Sequence, residues 1–222
     1  MARDDAPLVH AEDRATWRAW LEANHASESG VFLVSWRRGH GPSVPYEEAV
    51  EEALCFGWID SSGGTIDEQR SKQYFAPRKP RSGWAATNKA RVERLIAAGL
   101  IRPAGLAAIE RARENGSWTL LDDVEAGIVP EDLAAALAAH SPAQANFEAF
   151  PKSVRRMLLE RVAQARRPET RTARILEIAT RAARNERAFQ QAASAQVAES
   201  GGSARPGLPG GQAGSDRRSL PP

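Results

Sequence analysis

The chain has 222 residues, of which 42% are hydrophobic and 26% charged, and its formal net charge is +2. This composition is that of one globular domain, or one domain with an appendage, and no apolar run approaches the roughly 18 residues of a membrane-spanning helix. A single cysteine, Cys55, excludes an internal disulfide, and with only four scattered histidines it also excludes a zinc finger. Since no apolar stretch follows the N-terminus, we expect no secretory signal and a cytoplasmic location.

Helix and strand patterns alternate over the first quarter of the chain. Helical spacing of apolar residues begins near residues 10–13, and a short branched and aromatic run over 31–36 is typical of a strand. Glutamates that alternate with Ala, Val and Leu predict an amphipathic helix over 46–56, with Gly57 as its C-cap.

Short strands follow this helix. Branched, aromatic and polar residues over 58–76 predict two or three strands, with a turn at Gly63 and Gly64 because Gly-Gly pairs favour tight hairpins. Together with the strand at 31–36, these segments predict a small antiparallel sheet in the N-terminal half.

The remainder of the chain carries helical patterns. We predict helices over 83–98, 103–114, 130–139, 142–147, 151–165 and 168–183. The last four open on a proline in the first turn, where the missing N–H is tolerated. The expected fold class is α+β and predominantly helical, with the sheet in the N-terminal half and a helical C-terminal half.

The near-neutral total charge hides four blocks of alternating sign: −8 over 1–69, +8 over 70–118, −6 over 119–151 and +7 over 152–187. Solvated helix faces and pairing between segments explain such blocks best. The end of the chain is rich in Gly and Pro and cannot bury enough apolar surface to order. We predict an α+β domain over 1–118, a helical subdomain over 119–190 and a disordered tail over 191–222.

Common motifs for nucleotide, hydrolytic and metal chemistry are absent. The chain has no Gly-rich phosphate loop, no Gly-x-Ser-x-Gly and no His-Glu-x-x-His, and no histidine has a carboxylate or cysteine at metal-ligand spacing. We therefore predict no cofactor, no metal and no catalytic residue, and favour a binding protein over an enzyme.

Residues 53–88 hold the densest set of chemically distinctive side chains. The cationic loop of Arg78, Lys79 and Arg81 leads into the helix predicted from residue 83, which Ser82 is placed to cap. Guanidinium donors and free helix N–H groups that point the same way would bind an anion, while aromatic rings cover its apolar part. The predicted ligand contacts are Trp58, Asp60, Ser61, Phe75, Arg78, Arg81, Ser82, Trp84 and Asn88.

A purely structural explanation of the same residues is equally open. Ser82 would then only cap the helix, Trp84 would lie in the core, and Arg78 would pair with Asp60. Cys55 lies between two large apolar residues and is interpreted as a small buried hydrophobic residue.

The end of the helical region is rich in arginine, with Arg166, Arg167, Arg171, Arg174, Arg181, Arg184 and Arg187. The apolar residues expected to pack inward are Leu158, Leu159, Val162, Ile175, Leu176, Ile178 and Ala179. A basic face can bind nucleic acid, an anionic membrane or an acidic partner. No aromatic residue is interleaved for base stacking, so we favour a solvated face and do not expect nucleic-acid binding.

One set of residues also carries a resemblance to a known family. The set comprises residues 46–61, 75–84, Asn88, Gly99, 103–105, 116–118 and 169–175. On these residues the chain resembles the YdeI or OmpD-associated family, also called bacteriocin-protection proteins, over roughly residues 10–187. One departure is Ala85, where the family often has a serine.

The resemblance implies a small bacterial protein of cytosolic type without an agreed enzymatic activity. It also implies an association with an outer-membrane porin and a stress-response role in tolerance of cationic antimicrobial peptides. It supplies no catalytic residue.

Three functions follow as hypotheses. The favoured one is a non-enzymatic binding or stress-protection protein with a Trp- and Arg-lined anion pocket, although capture of cationic peptides would use the acidic blocks instead. The second is an enzyme for a small anionic substrate, with Asp60 as base, Ser61 or Cys55 as nucleophile, and Arg78 stabilising negative charge. The third is a nucleic-acid binder that uses the arginine-rich final helix.

Overall fold

Strands and helices alternate up to residue 77, after which the described chain is helical. The computed structural model describes residues 5–189. The N-terminal elements are β1 (Leu8–His10), α1 (Arg14–Asn24), β2 (Val31–Trp36), α2 (Tyr46–Cys55), β3 (Trp58–Thr65) and β4 (Arg70–Pro77). The later elements are α3 (Ala86–Ala97), α4 (Pro103–Glu114), α5 (Asp122–Ala126), α6 (Glu131–Ala139), α7 (Ala143–Ala149), α8 (Lys152–Ala163) and α9 (Pro168–Ala183).

The chain up to Ala188 belongs to one compact unit. The predicted division of this unit into residues 1–118 and 119–190 stays a prediction. The predicted disordered tail over 191–222 lies outside the described residues. Within the described residues, no helix has the length and apolarity needed to cross a membrane.

The four strands form one small sheet in the order β1-β2-β4-β3. Strand β4 pairs antiparallel with both neighbours, and Phe75 is aligned with Val31 on one side and Asp60 on the other. The predicted fold class, α+β and mostly helical with a small N-terminal sheet, is confirmed. The sheet is mixed because β1, which the sequence did not predict, pairs in parallel with β2. Three residues are too few to show a periodic pattern.

The hairpin turn lies later than predicted. Gly63 and Gly64 belong to β3, and the chain reverses between Thr65 and Arg70. The carboxylate of Asp67 accepts hydrogen bonds from the backbone N–H groups of Gln69 and Arg70 at 3.0 and 2.7 Å. An aspartate that bonds to the backbone two or three residues ahead mimics a turn, which explains why the reversal forms there.

One apolar core joins the sheet to the first helices. Its largest fully buried side chains come from α1, β2, α2 and the β3–β4 hairpin: Trp17, Leu21, Leu33, Leu54, Trp58 and Phe75. The indole N–H of Trp17 donates to the carbonyl of Ala49 at 3.0 Å, so that its one polar atom is satisfied inside the core.

Helix α2 also buries a charge. Glu52 is 2% exposed, and its carboxylate accepts hydrogen bonds from Arg14 Nε and Arg18 Nη1, both at 2.6 Å. Since a buried carboxylate is costly unless it is paired and hydrogen-bonded, the two arginines of α1 fix the position of α1 against α2.

The C-terminal helices bury one face of α9 against α6 and α7. Ile175, Ile178, Ala179 and Ala182 are buried, at the spacing of one helical face. The expectation that Leu176 packs inward is wrong, because this residue is 51% exposed. One position after Ile175, it is turned about 100° away from the buried face.

Helix α3 begins three residues later than predicted, at Ala86. Ser82 does not cap it, because residues 83–85 are not helical and the Ser82 hydroxyl donates to the carbonyl of Lys79 at 3.0 Å. The α3 N-terminus is instead capped by a distant residue: both carboxylate oxygens of Glu125 accept from the Ala86 N–H at 3.0 Å. An acidic group at this end of a helix satisfies a free N–H and complements the helix dipole.

Candidate functional site

The three aromatic residues predicted to wall a pocket lie in the core. Trp58, Phe75 and Trp84 are 1%, 0% and 2% exposed. Their rings pack against other aromatic rings, as Trp58 does against Trp20 and Trp84 against Trp118. Their role as ligand contacts stays a prediction, and this burial disfavours it.

Arg78 is held on the surface of that core. Its guanidinium carbon lies 3.8 Å from the centroid of the Trp84 ring, and its Nη2 donates to the carbonyl of Gly83 at 2.9 Å. Its Nε is buried and has no hydrogen-bond partner within residues 5–189. Burial lowers the pKa of Arg78 to about 10, and the charge of Asp60 acts in the opposite direction. Arg78 is therefore still protonated at neutral pH and supports the loop that follows it.

The side chain of Asp60 accepts hydrogen bonds from one residue of α2 and one of β4. Its Oδ2 accepts hydrogen bonds from the Tyr46 hydroxyl at 2.8 Å and from Gln73 Nε2 at 3.4 Å. Burial, followed by this bond to Asp60, raises the pKa of Tyr46 to about 12. Among the described residues, the alternative Arg78–Asp60 ion pair is absent. Asp60 and Arg78 therefore do not contact each other as an acid and a base.

Three further residues named in the sequence hypotheses lie on different elements of the fold. Ser61 is exposed on β3, and the Asn88 side-chain oxygen on α3 accepts from Arg91 Nη1 at 2.7 Å. Cys55 is fully buried, as predicted, and burial raises the pKa of its thiol to about 11. A thiol with so high a pKa is almost wholly protonated at neutral pH and is a poor nucleophile.

Arg81 and Ser82, in contrast, line one open cavity of about 480 Å³. Its walls are the loop 79–82, the turn 115–117 after α4, and residues 163–166 at the end of α8. We call it the cationic cavity. It is the place where two of the predicted ligand contacts come together with groups from distant parts of the chain.

The electrostatics of the cationic cavity are one-sided. Lys79, Arg81 and Arg166 all line it, and no aspartate or glutamate of residues 5–189 does. None of the three forms an ion pair with a carboxylate in the described part of the chain. Arg166 Nη2 donates to the backbone carbonyl of Arg81 at 2.9 Å, which joins the segment after α8 to the loop 79–82. Like charges that line one concave surface attract anions.

One residue that lines this cavity has a buried hydroxyl. Ser117 is 4% exposed and lines the cavity, and its Oγ has no hydrogen-bond partner within residues 5–189. The surrounding turn is well fixed, since Asn115 Nδ2 donates to the carbonyl of Pro80 at 2.7 Å and its Oδ1 accepts from the Ser117 N–H at 3.0 Å. An unsatisfied buried polar group is costly, so the hydroxyl is suited to a bound ligand or water.

The sequence does not predict that Lys79 and Arg166 belong to one site. Lys79 stands out only as part of a cationic loop, and Arg166 only as one of a run of arginines. No sequence signal joins Arg81 to Arg166, which are 85 residues apart. Within residues 5–189, no three His, Cys, Asp or Glu side chains group in a way that could hold a metal ion.

Two family models match different parts of the chain. Residues 126–185 match the model described as "Bacteriocin-protection, YdeI or OmpD-Associated". This confirms the predicted resemblance for that segment, which includes α6, α7, α8 and α9. Residues 9–108 match a model described as "Domain of unknown function (DUF8412)". No curated protein and no solved structure matches the chain.

The two matches divide the residues on which the resemblance was based. The block 46–88, with all nine predicted ligand contacts, lies in the match of unknown function, as do Gly99 and residues 103–105. Residues 169–175 lie in the bacteriocin-protection match, and residues 116–118 lie between the two matches. The cationic cavity draws Lys79, Arg81 and Ser82 from the first match and residues 163–166 from the second.

Proposed function

Given that residues 126–185 match the YdeI or OmpD-associated family, we propose that this protein is a non-enzymatic binder of a small anion. The anion occupies the cationic cavity, between Lys79, Arg81 and Arg166. The observation that carries the proposal is the convergence of three cations, without an acidic residue, on one concave surface. An incoming anion would supply the charge that the protein itself does not.

The polar groups of the cavity fit the same ligand. The hydroxyl of Ser117 and the guanidinium groups of Arg81 and Arg166 are donors of the type that bind phosphate or carboxylate oxygens. A volume of about 480 Å³ is ample for a small organic anion. The cavity is open to solvent and lacks a buried acid–base pair, which favours binding over catalysis.

The test uses inorganic pyrophosphate as the probe. Calorimetric titration of the full chain at low ionic strength should show saturable binding that weakens as salt is added. The double variant Arg81→Ala/Arg166→Ala should bind at least about tenfold more weakly, because each charge-assisted hydrogen bond contributes about 1.5–3 kcal/mol.

A matched control removes two other arginines. Arg111→Ala/Arg187→Ala changes the net charge equally, and neither residue lines the cationic cavity. If this control loses as much affinity as the site variant, the binding is non-specific attraction to a basic protein and the proposed site is wrong.

The family's description supports a protective role for this binding. We propose that anion binding contributes to tolerance of bacteriocins or cationic antimicrobial peptides. A host that lacks the gene should survive a cationic peptide less well, and the wild-type gene should restore survival. Rescue by Arg81→Ala/Arg166→Ala as complete as by the wild type would separate protection from anion binding.

Direct capture of cationic peptides by the acidic blocks has less support. Several acidic residues of those blocks are already paired within the protein, for example Glu52 with Arg14 and Arg18, Glu22 with Arg102, and Asp132 with Arg171. Pairing between segments leaves fewer free carboxylates for a partner.

The arginine-rich C-terminal face is partly neutralised in the same way. Arg171 binds Asp132, Arg181 binds Glu177, and Arg184 binds Glu186. These pairs compete with any phosphate backbone, so nucleic-acid binding has no specific observation in its favour.

A further inference from the structure

A second pocket lies wholly apart from the cationic cavity. It has a volume of about 200 Å³ and lies between α5, the turn 127–129, α7 and the first half of α8. Most of it falls within the segment 126–185 that matches the bacteriocin-protection family. We call it the small pocket.

The floor of the small pocket is apolar. Val124, Phe147 and Leu159 line it and are buried. The inner wall of the pocket therefore presents hydrocarbon surface to a ligand.

The rim of the small pocket is cationic. Lys152, Arg155 and Arg156 line it, against a single acid, Glu125. Glu125 is already shared, since it pairs with Arg156 at 3.2 Å and caps α3 through the Ala86 N–H. These lining residues therefore leave two cations without a carboxylate partner.

Arg155 is the most informative of these cations. Its Nε is buried and has no hydrogen-bond partner within residues 5–189, and its guanidinium forms no ion pair there. A buried donor on a charged group is costly to leave unsatisfied, and a carboxylate bound beside the guanidinium would offset that cost by pairing with its charge.

We propose that the small pocket binds a small carboxylate with an apolar body. The hydrocarbon part contacts Phe147 and Leu159, and the carboxylate meets Arg155 and Lys152 at the rim. Because one water takes about 30 Å³ of liquid volume, 200 Å³ admits a ligand of several heavy atoms, such as hexanoate or benzoate. A bare phosphate would leave the apolar floor uncovered and is a poorer match.

Hexanoate is the probe for this site, and 1-hexanol and phosphate are its chemical controls. In NMR titrations of the full chain, hexanoate should shift the amide signals around Gly127, Phe147 and Leu159. Hexanol should bind at least about tenfold more weakly, because it lacks the charge that Arg155 recognises.

Two variants separate the apolar and the charged contributions. Arg155→Met keeps most of the side-chain length but removes the charge, and should weaken hexanoate binding at least about tenfold while leaving hexanol unchanged. Ala126→Phe places a ring at the exposed end of α5, where it lines the pocket, and should block both ligands without disturbing the core. Arg111→Met, on α4, is the matched control for charge.

Several results would overturn the proposal. They are equal binding of hexanol and hexanoate, unchanged hexanoate binding in Arg155→Met, or signal changes that cluster away from the small pocket. The inference is independent of the anion site: Arg155→Met should bind pyrophosphate like the wild type, so either proposal can fail while the other stands.

Discussion

The guanidinium carbon of Arg78 lies 3.8 Å from the centroid of the Trp84 ring. The same group donates to the carbonyl of Gly83, so the Arg78 side chain connects the start of the loop 79–82 to the residues that follow it. That loop carries Lys79 and Arg81 into the cationic cavity. Arg78 therefore positions the anion site from beneath without lining it.

Replacement of Arg78 tests this supporting role. Arg78→Met should lower the free energy of unfolding by about 1–2 kcal/mol, since it removes a half-buried cation–π contact and a charged hydrogen bond. Urea denaturation gives the value. Arg38→Met, at an exposed position with no such contact, should change stability by less than about 0.5 kcal/mol, and an equal loss there would contradict the interpretation.

The buried charge at Glu52 gives a larger expected effect. Glu52→Ala leaves Arg14 and Arg18 without their shared carboxylate and should cost about 3 kcal/mol, the lower end of the usual range because both arginines keep some access to water. Thermal or urea denaturation measures the loss. Glu48→Ala, on the same helix but outside this cluster, is the matched control and should be nearly neutral.

Ser117 should show opposite effects on stability and on binding. Ser117→Ala removes a buried hydroxyl that has no hydrogen-bond partner among residues 5–189, so the free protein should be unchanged or more stable by up to about 1 kcal/mol. Pyrophosphate affinity should fall several-fold because the ligand loses a donor. A clear loss of stability in the free protein would show that the hydroxyl is already satisfied.

The thiol of Cys55 should be inert in the folded protein. Burial raises its pKa to about 11, and its side chain is fully buried. At pH 8 an aromatic disulfide reagent should modify it at least about a hundredfold more slowly than in urea. Since the folded chain holds this proton more tightly than the unfolded chain, its contribution to stability should be lost as the pH rises above 9.0. Rapid modification without denaturant would be incompatible with the packed position.

The stability that the contact between α6 and α9 contributes should depend on pH. The hydrogen bonds from Arg171 hold the pKa of Asp132 below its ordinary value of 3.8. A depressed pKa stabilises the fold above that value and ceases to do so as the pH falls through the folded pKa. Asp132→Asn should therefore cost less than about 1 kcal/mol at pH 7, because the pair is partly exposed, and nothing well below pH 3.8. A difference that persists in acid would point to packing instead.

Local signals in the sequence account for most of the helices. Pro103 and Pro168 are the first residues of α4 and α9, and Gly57 and Gly127 adopt the positive φ of helix C-termini. These signals work because a terminus depends on its nearest residues. Strand β1 and the reversal at Asp67 depend on partners and side-chain bonds that no periodicity shows.

The cationic cavity was predictable only in part, because some of its residues come from distant parts of the sequence. Arg81 and Ser82 stand in a conspicuous basic loop, and they do reach a cavity. Trp58 and Trp84 are equally conspicuous, but bulky aromatic residues serve a core as well as a binding site, and here they are buried. Ser117 and Arg166 lie in the segments that follow α4 and α8, and these segments meet only in the folded chain.

Glu125 contacts both of the segments that match a family model. It lies between the two matched ranges and supplies the N-terminal cap of α3, a helix within residues 9–108. It also pairs with Arg156 on α8, within residues 126–185. A polypeptide cut at 118/119 would leave the first turn of α3 uncapped, at a cost of about 1 kcal/mol. The two matched segments therefore depend on one residue, Glu125, for part of their stability, and we do not expect them to fold independently of each other.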